Sequence, residues 1–157
     1  MEAGQTPLPS YFGGVQWFTE LQKMSLDDAT LAKLKDAAKA ASGRAYCPYS
    51  KFPVGAAVLT DAGEIFSGCN VENASFGLTI CAERNAIFQA VANGARRMRA
   101  VLIFTPSIKP TSPCGACRQV INEFGPDVMV FSTCNGKQVS RWSISNLLTD
   151  AFGPDSL

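Results

Sequence analysis

The chain has 157 residues, enough for about one domain of typical size with its own buried core. Hydrophobic residues make up 46% and charged residues 17%, a composition that excludes a disordered or collagen-like chain. Net charge is +1, which gives no electrostatic footprint for a nucleic-acid polymer or an anionic membrane, and the absence of His removes imidazole bases and His-containing metal sites.

Residues 1–24 contain Gly4, Pro7, Pro9, Gly13 and Gly14 without a sustained period and read as an N-terminal arm ahead of a domain over 25–157. They lack the cationic start and apolar run of a signal peptide, and the longest apolar runs fall short of the ~18–20 residues of a membrane span. A cytoplasmic protein is expected. Ser25 with Asp28 resembles an N-cap pair, and Leu26, Ala29, Leu34, Ala37, Ala38 and Ala41 then form a helical stripe that stops at Gly43. Val54 to Thr60 and Glu64 to Val71 read as a hairpin around Asp61-Ala62-Gly63. Cys81 to Asn93 is helical, with Gly94 as its stop. Arg96-Arg97-Met98-Arg99 reads as a solvated helix exit, and Ala100 to Thr105 as a buried strand. A short helix runs from Cys114 to Phe124, Val128 to Thr133 is a further strand, and Ser143 caps a last helix toward Phe152. Strands alternating with helices imply an α/β layered domain.

The six Cys fall into two groups. Cys81 stands in Cys81-Ala82-Glu83-Arg84, and Cys114 and Cys117 stand in Pro113-Cys114-Gly115-Ala116-Cys117-Arg118-Gln119. Residues three apart share a helix face, and both segments begin helices, where the dipole favours thiolate, the ligating form. Three thiolates leave the fourth tetrahedral position of a metal open, as in catalytic rather than structural zinc. A redox pair, buried core thiols, or closure of the site by Cys47, Cys69 or Cys134 are the alternatives. Glu83 is poorly placed as a fourth ligand, but a carboxylate in the first turn can move a proton at the open position. Cys-Ala-Glu followed about thirty residues on by Pro-Cys-x-x-Cys is the thiolate form of the zinc nucleobase deaminase signature. Three thiolates on a divalent cation sum to −1. Arg84 is the first candidate to offset that charge and Arg118 the second.

These segments, together with Ala45 to Ala57 and Gly68-Cys69-Asn70-Val71-Glu72-Asn73-Ala74-Ser75, resemble the small three-cysteine, homotetrameric cytidine deaminase family from about residue 27 to 153. The resemblance implies a three-layer α/β/α sandwich with a five-stranded mixed sheet, and one Zn2+ per chain on Cys81, Cys114 and Cys117. It implies hydrolytic deamination of free cytidine and deoxycytidine in pyrimidine salvage, with zinc-bound hydroxide adding at C4. Glu83 would shuttle protons to N3 and then to the leaving amine. Asn70 and Glu72 are implied ribose contacts, the backbone at Ala82 a base contact, and Phe52 a pocket wall. Phe152 would reach a neighbouring subunit's site, so that subunits complete one another's sites. Cys47, Cys69 and Cys134 are expected as buried small residues.

Two other classes compete. A deaminase of an aminopyrimidine antibiotic such as blasticidin S is disfavoured by Asn70 and Glu72, which suit a ribose. A zinc-stabilised or redox-thiol protein without activity would leave Glu83 dispensable, and chelation would then unfold the chain. A polymer-editing enzyme is disfavoured because no basic stripe with interleaved aromatics is present.

Overall fold

The computed structural model describes residues 26–153 and 156–157; the arm expected over 1–24 and the expected cap Ser25 lie outside the described residues. Helix α1 spans Asp28–Ser42 and is capped by Asp27, whose carboxylate accepts from the Thr30 N–H and the Thr30 hydroxyl, both at 2.8 Å. The helix therefore starts later than a Ser25 cap implies, because Asp27 meets two donors of the first turn at once. Leu34, Ala38 and Ala41 form its buried stripe.

The expected hairpin is present as β1 (Gly55–Thr60) and β2 (Ile65–Cys69), paired antiparallel across a turn in which Gly63 has φ 86°. β2 ends before Val71 because the chain leaves the ladder. Asn70 N–H donates to the Val54 carbonyl at 3.1 Å, and Val71 bridges to Tyr46 and Ile80 instead. Helix α2 (Ala82–Ala92) follows its N-cap Cys81 and stops before Gly94, at φ 97°. Strand β3 (Met98–Thr105) begins earlier than expected, since its ladder with β1 continues past a bulge to the pair Thr60 and Met98. The basic cluster is thus not a helix exit throughout: Met98 is buried in the strand and Arg99 is an exposed strand residue.

Helix α3 (Gly115–Glu123) has Cys114 as N-cap, and β4 (Met129–Cys134) follows it. Strand β5 (Val139–Ser143) was not apparent in the local pattern. Val-Ser-Arg-Trp-Ser has little apolar alternation, and pairing with β4 makes it an edge strand. The helix expected to run toward Phe152 is one short turn, α4 (Ile144–Leu147), with Ser143 as cap. Leu148 turns it off with extended backbone, and Asp150 then takes a positive φ of 54°.

The sheet order is β2-β1-β3-β4-β5, antiparallel except for β3 beside β4. On one face α1 packs Leu34 and Ala38 over Ala57, Leu59 and Leu102. On the other, Ala86, Ile87, Ile121 and Ile144 from the remaining helices cover Val58, Val101 and Ile103. This is the three-layer α/β/α sandwich with a five-stranded mixed sheet. β1 is buried along its whole length and β3 at every position but Arg99, which explains their near-continuous apolar runs. Two glycines set the spacing between layers. A Cβ at Gly55 would collide with the Ala38 carbonyl of α1, and one at Gly68 would stand 2.5 Å from Ala86 N and 2.9 Å from the Ala82 carbonyl of α2. Gly68 thus brings the first turns of α2 close against β2.

Candidate active site

Two helix starts meet beside this packing. Cys81 caps α2, Cys114 caps α3, and Cys117 lies in the first turn of α3; their sulfurs all fall within 4.8 Å of one another. Cys81 and Cys114 Sγ are 3.9 Å apart. Ligands at ~2.3 Å in a tetrahedron place sulfurs about 3.8 Å apart, so the Cys81–Cys114 separation matches zinc ligation, with Cys117 completing a three-thiol donor set within 4.8 Å. Cys117 is buried, Cys81 half-buried and Cys114 exposed, which places the cluster at the protein surface. Cys47, Cys69 and Cys134 are not in it. Cys134 is buried as expected, donating to the Ile108 carbonyl at 3.3 Å; Cys47 and Cys69 are half-buried instead, and the Cys69 thiol donates to the Arg44 carbonyl at 3.4 Å.

Electrostatics around the sulfurs separate the two helix starts. Contact with the Cys117 thiol, with further help from Arg84 and Cys114, brings the Cys81 thiol down to about 5 against the cost of its burial. Cys117 is pushed up, first by the hydrogen bond that favours charge on Cys81, then by burial and by the Glu83 carboxylate. Glu83 lies in the first turn of α2 and is 5% exposed. Burial raises its pKa above the usual carboxylate range and the Cys81 thiolate raises it further, while the Cys117 thiol and Arg84 oppose the shift. Arg84 Nη2 lies 3.7 Å from Cys81 Sγ and donates to the Thr79 carbonyl at 3.2 Å. Arg118 makes its hydrogen bonds elsewhere, to the Pro113 and Leu147 carbonyls, both at 2.9 Å.

Asn70 and Glu72 converge on one loop. The Asn70 side chain, 8% exposed, accepts from Val54 N–H at 2.8 Å and donates to the Phe52 carbonyl at 3.0 Å. The Glu72 carboxylate accepts from Tyr49 N–H at 2.8 Å and from Ser50 N–H at 3.2 Å. The Ser50 side chain foremost, and then these N–H donors, lower its pKa against the opposing effect of desolvation. Both residues therefore hold the 49–54 segment, with acceptor capacity left over. Phe52, on that segment, is 41% exposed, and Ala82, fully buried, is the first residue of α2. Phe152, 62% exposed, lies beyond α4, where its carbonyl accepts from Gln119 Nε2 at 2.9 Å.

Glu72, the expected ribose contact, lines an open cavity of about 430 Å³ with Tyr49, Ser50, Phe76 and Thr79, and the Tyr49 and Phe76 rings meet edge to face at 5.9 Å. Thr79 joins it to the sulfurs through the Arg84 hydrogen bond. Asn85 secures α2 to the end of β2 by donating to the Cys69 carbonyl at 2.8 Å. The buried Ser132 hydroxyl donates to the Thr111 carbonyl and accepts from its N–H, pinning the loop that leads to Cys114. Gly68 and Asn85 stand close to segments with chemistry-bearing residues, but nothing in a single sequence shows which backbone approaches which.

The chain matches the cytidine and deoxycytidylate deaminase zinc-binding region over residues 28–133. It is 45% identical to a cytidine deaminase from Sporosarcina psychrophila, over 80% of this chain and 93% of that one. A cytidine deaminase from Halalkalibacterium halodurans is 42% identical, over 79% and 94% of the two chains. Among solved structures, the cytidine deaminase of Burkholderia pseudomallei superposes with a TM-score of 0.74 at 49% identity, covering 77% of this chain and 98% of that one. The shared fold, the extent of the similarity and the cysteine cluster agree: the chain belongs to the cytidine deaminase family of zinc-binding enzymes.

Proposed function

We propose that the protein deaminates free cytidine and deoxycytidine hydrolytically to uridine and deoxyuridine, releasing ammonia, as a cytoplasmic enzyme of pyrimidine salvage. The observation that carries this reading is the buried Glu83 carboxylate in the first turn of the helix capped by Cys81, one of a surface cluster of three cysteine sulfurs. Similarity to cytidine deaminases over nearly their whole length supports the choice of substrate.

Cys81, Cys114 and Cys117 would hold one Zn2+ per chain, which when bound would supply the Lewis acidity that makes water a nucleophile near neutral pH. Glu83 takes a proton from the attacking water and delivers it to N3 of the base as oxygen bonds to C4. The same carboxyl then carries the proton of the new C4 hydroxyl to the amino nitrogen; the C4–N bond breaks as the C4 carbonyl forms, and ammonia leaves. A carboxyl with a raised pKa suits both turns, because it accepts a proton more readily than an ordinary carboxylate and its proton transfers are better matched to near-neutral pH. Arg84, at 3.7 Å from the Cys81 sulfur, and the starts of α2 and α3 offset the net negative charge of three thiolates on one divalent ion.

Asn70 and Glu72 take the ribose, using the acceptor and donor capacity their loop contacts leave free. The backbone at Ala82 meets the base edge and Phe52 lines its pocket. A carboxylate at the sugar disfavours a 3′-phosphate, hence a free nucleoside over a nucleic-acid polymer. Exposed Phe52, Phe76, Leu78 and Phe152 support association into a homotetramer in which Phe152 reaches a neighbouring subunit's site. No helix among the described residues is long and apolar enough to cross a membrane.

Ammonia release from cytidine, deoxycytidine, cytidine 3′-monophosphate and blasticidin S tests the substrate reading. The two nucleosides are expected to turn over and the 3′-phosphate to react far more slowly. Equal turnover of the 3′-phosphate would contradict the role of Glu72, and release from blasticidin S alone would contradict the nucleoside reading.

A further inference from the structure

Of the three sulfur ligands, Cys114 is the exposed one, and as N-cap of α3 its side chain makes no capping hydrogen bond. Packing does not hold it as it holds buried Cys117. Among the described residues, Arg118 brackets Cys114 on both sides. The Arg118 N–H donates to the Cys114 carbonyl at 3.0 Å, and Arg118 Nε donates at 2.9 Å to the carbonyl of Pro113, the residue before the ligand. Both peptide units flanking Cys114 are thus tied to one side chain and its backbone. The guanidinium is in turn anchored outside the loop, through Nη1 to the Leu147 carbonyl at the end of α4. The next residue, Gln119, adds a bond from the same helix to the Phe152 carbonyl.

We propose that Arg118 is a positioning residue for the metal site, fixing Cys114 by clamping the Pro113 carbonyl against the C-terminal segment at Leu147. The inference rests on the zinc reading above and gives Arg118 a role separate from charge compensation. A planar fork of donors can satisfy two carbonyls at fixed angles; the point charge of Lys cannot reproduce that geometry, and Met, of similar reach, offers no donor.

The test compares zinc-loaded parent, Arg118→Met, Arg118→Lys and Leu34→Val in competition with a zinc-chelating indicator. Leu34 is a buried residue of α1, on the opposite face of the sheet, so Leu34→Val loosens the fold without touching the loop. Loss of a group that orients a metal ligand weakens retention by ~10–100-fold, and Arg118→Met is expected in that range. Arg118→Lys should fall between Arg118→Met and the parent, and Leu34→Val should hold zinc as the parent does. At saturating zinc, kcat should return in both Arg118 variants with KM for cytidine unchanged. Parent-like retention in Arg118→Met and Arg118→Lys, or equal loss in Leu34→Val, would overturn the inference alone. A parent that holds no zinc would overturn the metal reading and the inference together.

Discussion

Arg84 reaches back along α2 to the residue that caps it, placing Nη2 at 3.7 Å from Cys81 Sγ while the same nitrogen donates to the Thr79 carbonyl. The helix thus carries at its start a thiol, a buried carboxylate and a cation within four consecutive residues, Cys81 to Arg84. Arg84→Gln keeps some hydrogen bonding but removes the charge. The Cys81 thiol, held at about 5 chiefly by Cys117 and then by Arg84, should rise. Zinc uptake then competes with protons at higher pH. Zinc affinity is expected to fall by ~10–100-fold, with the larger loss toward mildly acidic pH. An affinity profile matching the parent across pH would show that Arg84 does not tune this thiol.

Glu83 gives a stability prediction of opposite sign to its importance for activity. Its folded pKa is raised by burial and by the Cys81 thiolate. A carboxyl of this kind favours the folded state fully below its unfolded pKa, and that contribution is lost as pH rises through the folded value. In the metal-free protein, Glu83→Gln should therefore raise the melting temperature at about pH 8, and the gain should shrink toward about pH 5. Thermal melts across pH measure this. A gain that is largest in acid would mean the carboxyl is stabilised as an anion in the fold.

Asn70 joins Phe52 to Val54 by two side-chain hydrogen bonds from a nearly buried position. Asn70→Ala would leave the partly buried Val54 N–H and Phe52 carbonyl without those partners, costing about 0.5–1.5 kcal/mol in urea unfolding. Because the 49–54 segment would loosen, KM for cytidine should increase as well. Unchanged stability would indicate that water replaces both bonds.

Much of this architecture was legible in the sequence. β1 and β3 announced themselves by apolar runs, since strands buried on both faces need no alternation. Cys81, Glu83, Cys114 and Cys117 stood out because metal chemistry constrains residue type and spacing together. β5 was missed because an edge strand has one neighbour and tolerates a polar, irregular pattern. The cap at Asp27 and the abrupt end of α4 depend on competition among adjacent polar residues that propensity does not resolve. Gly68 was unreadable for a different reason: its significance lies in the backbone of Ala82 and Ala86, which only the fold brings near.

That close approach can be tested directly. Gly68→Ala would set a methyl group against backbone atoms that cannot rotate away, so β2 and the start of α2 must separate. Overpacking of this kind costs ~1–3 kcal/mol, and zinc content should fall with it because Cys81 caps the displaced helix. Thermal melts with metal analysis follow both quantities. A variant with full stability and full zinc would show that the layers are not held at this spacing.

The most direct measurement is ammonia release from cytidine by the purified protein and by Glu83→Gln, with zinc quantified in both. Turnover in the parent, equal zinc in the two, and a loss in Glu83→Gln of at least the ~10²–10⁴-fold expected of a general acid–base group is the predicted result. Retained turnover in Glu83→Gln at equal zinc would contradict the assignment of proton transfer to this carboxylate.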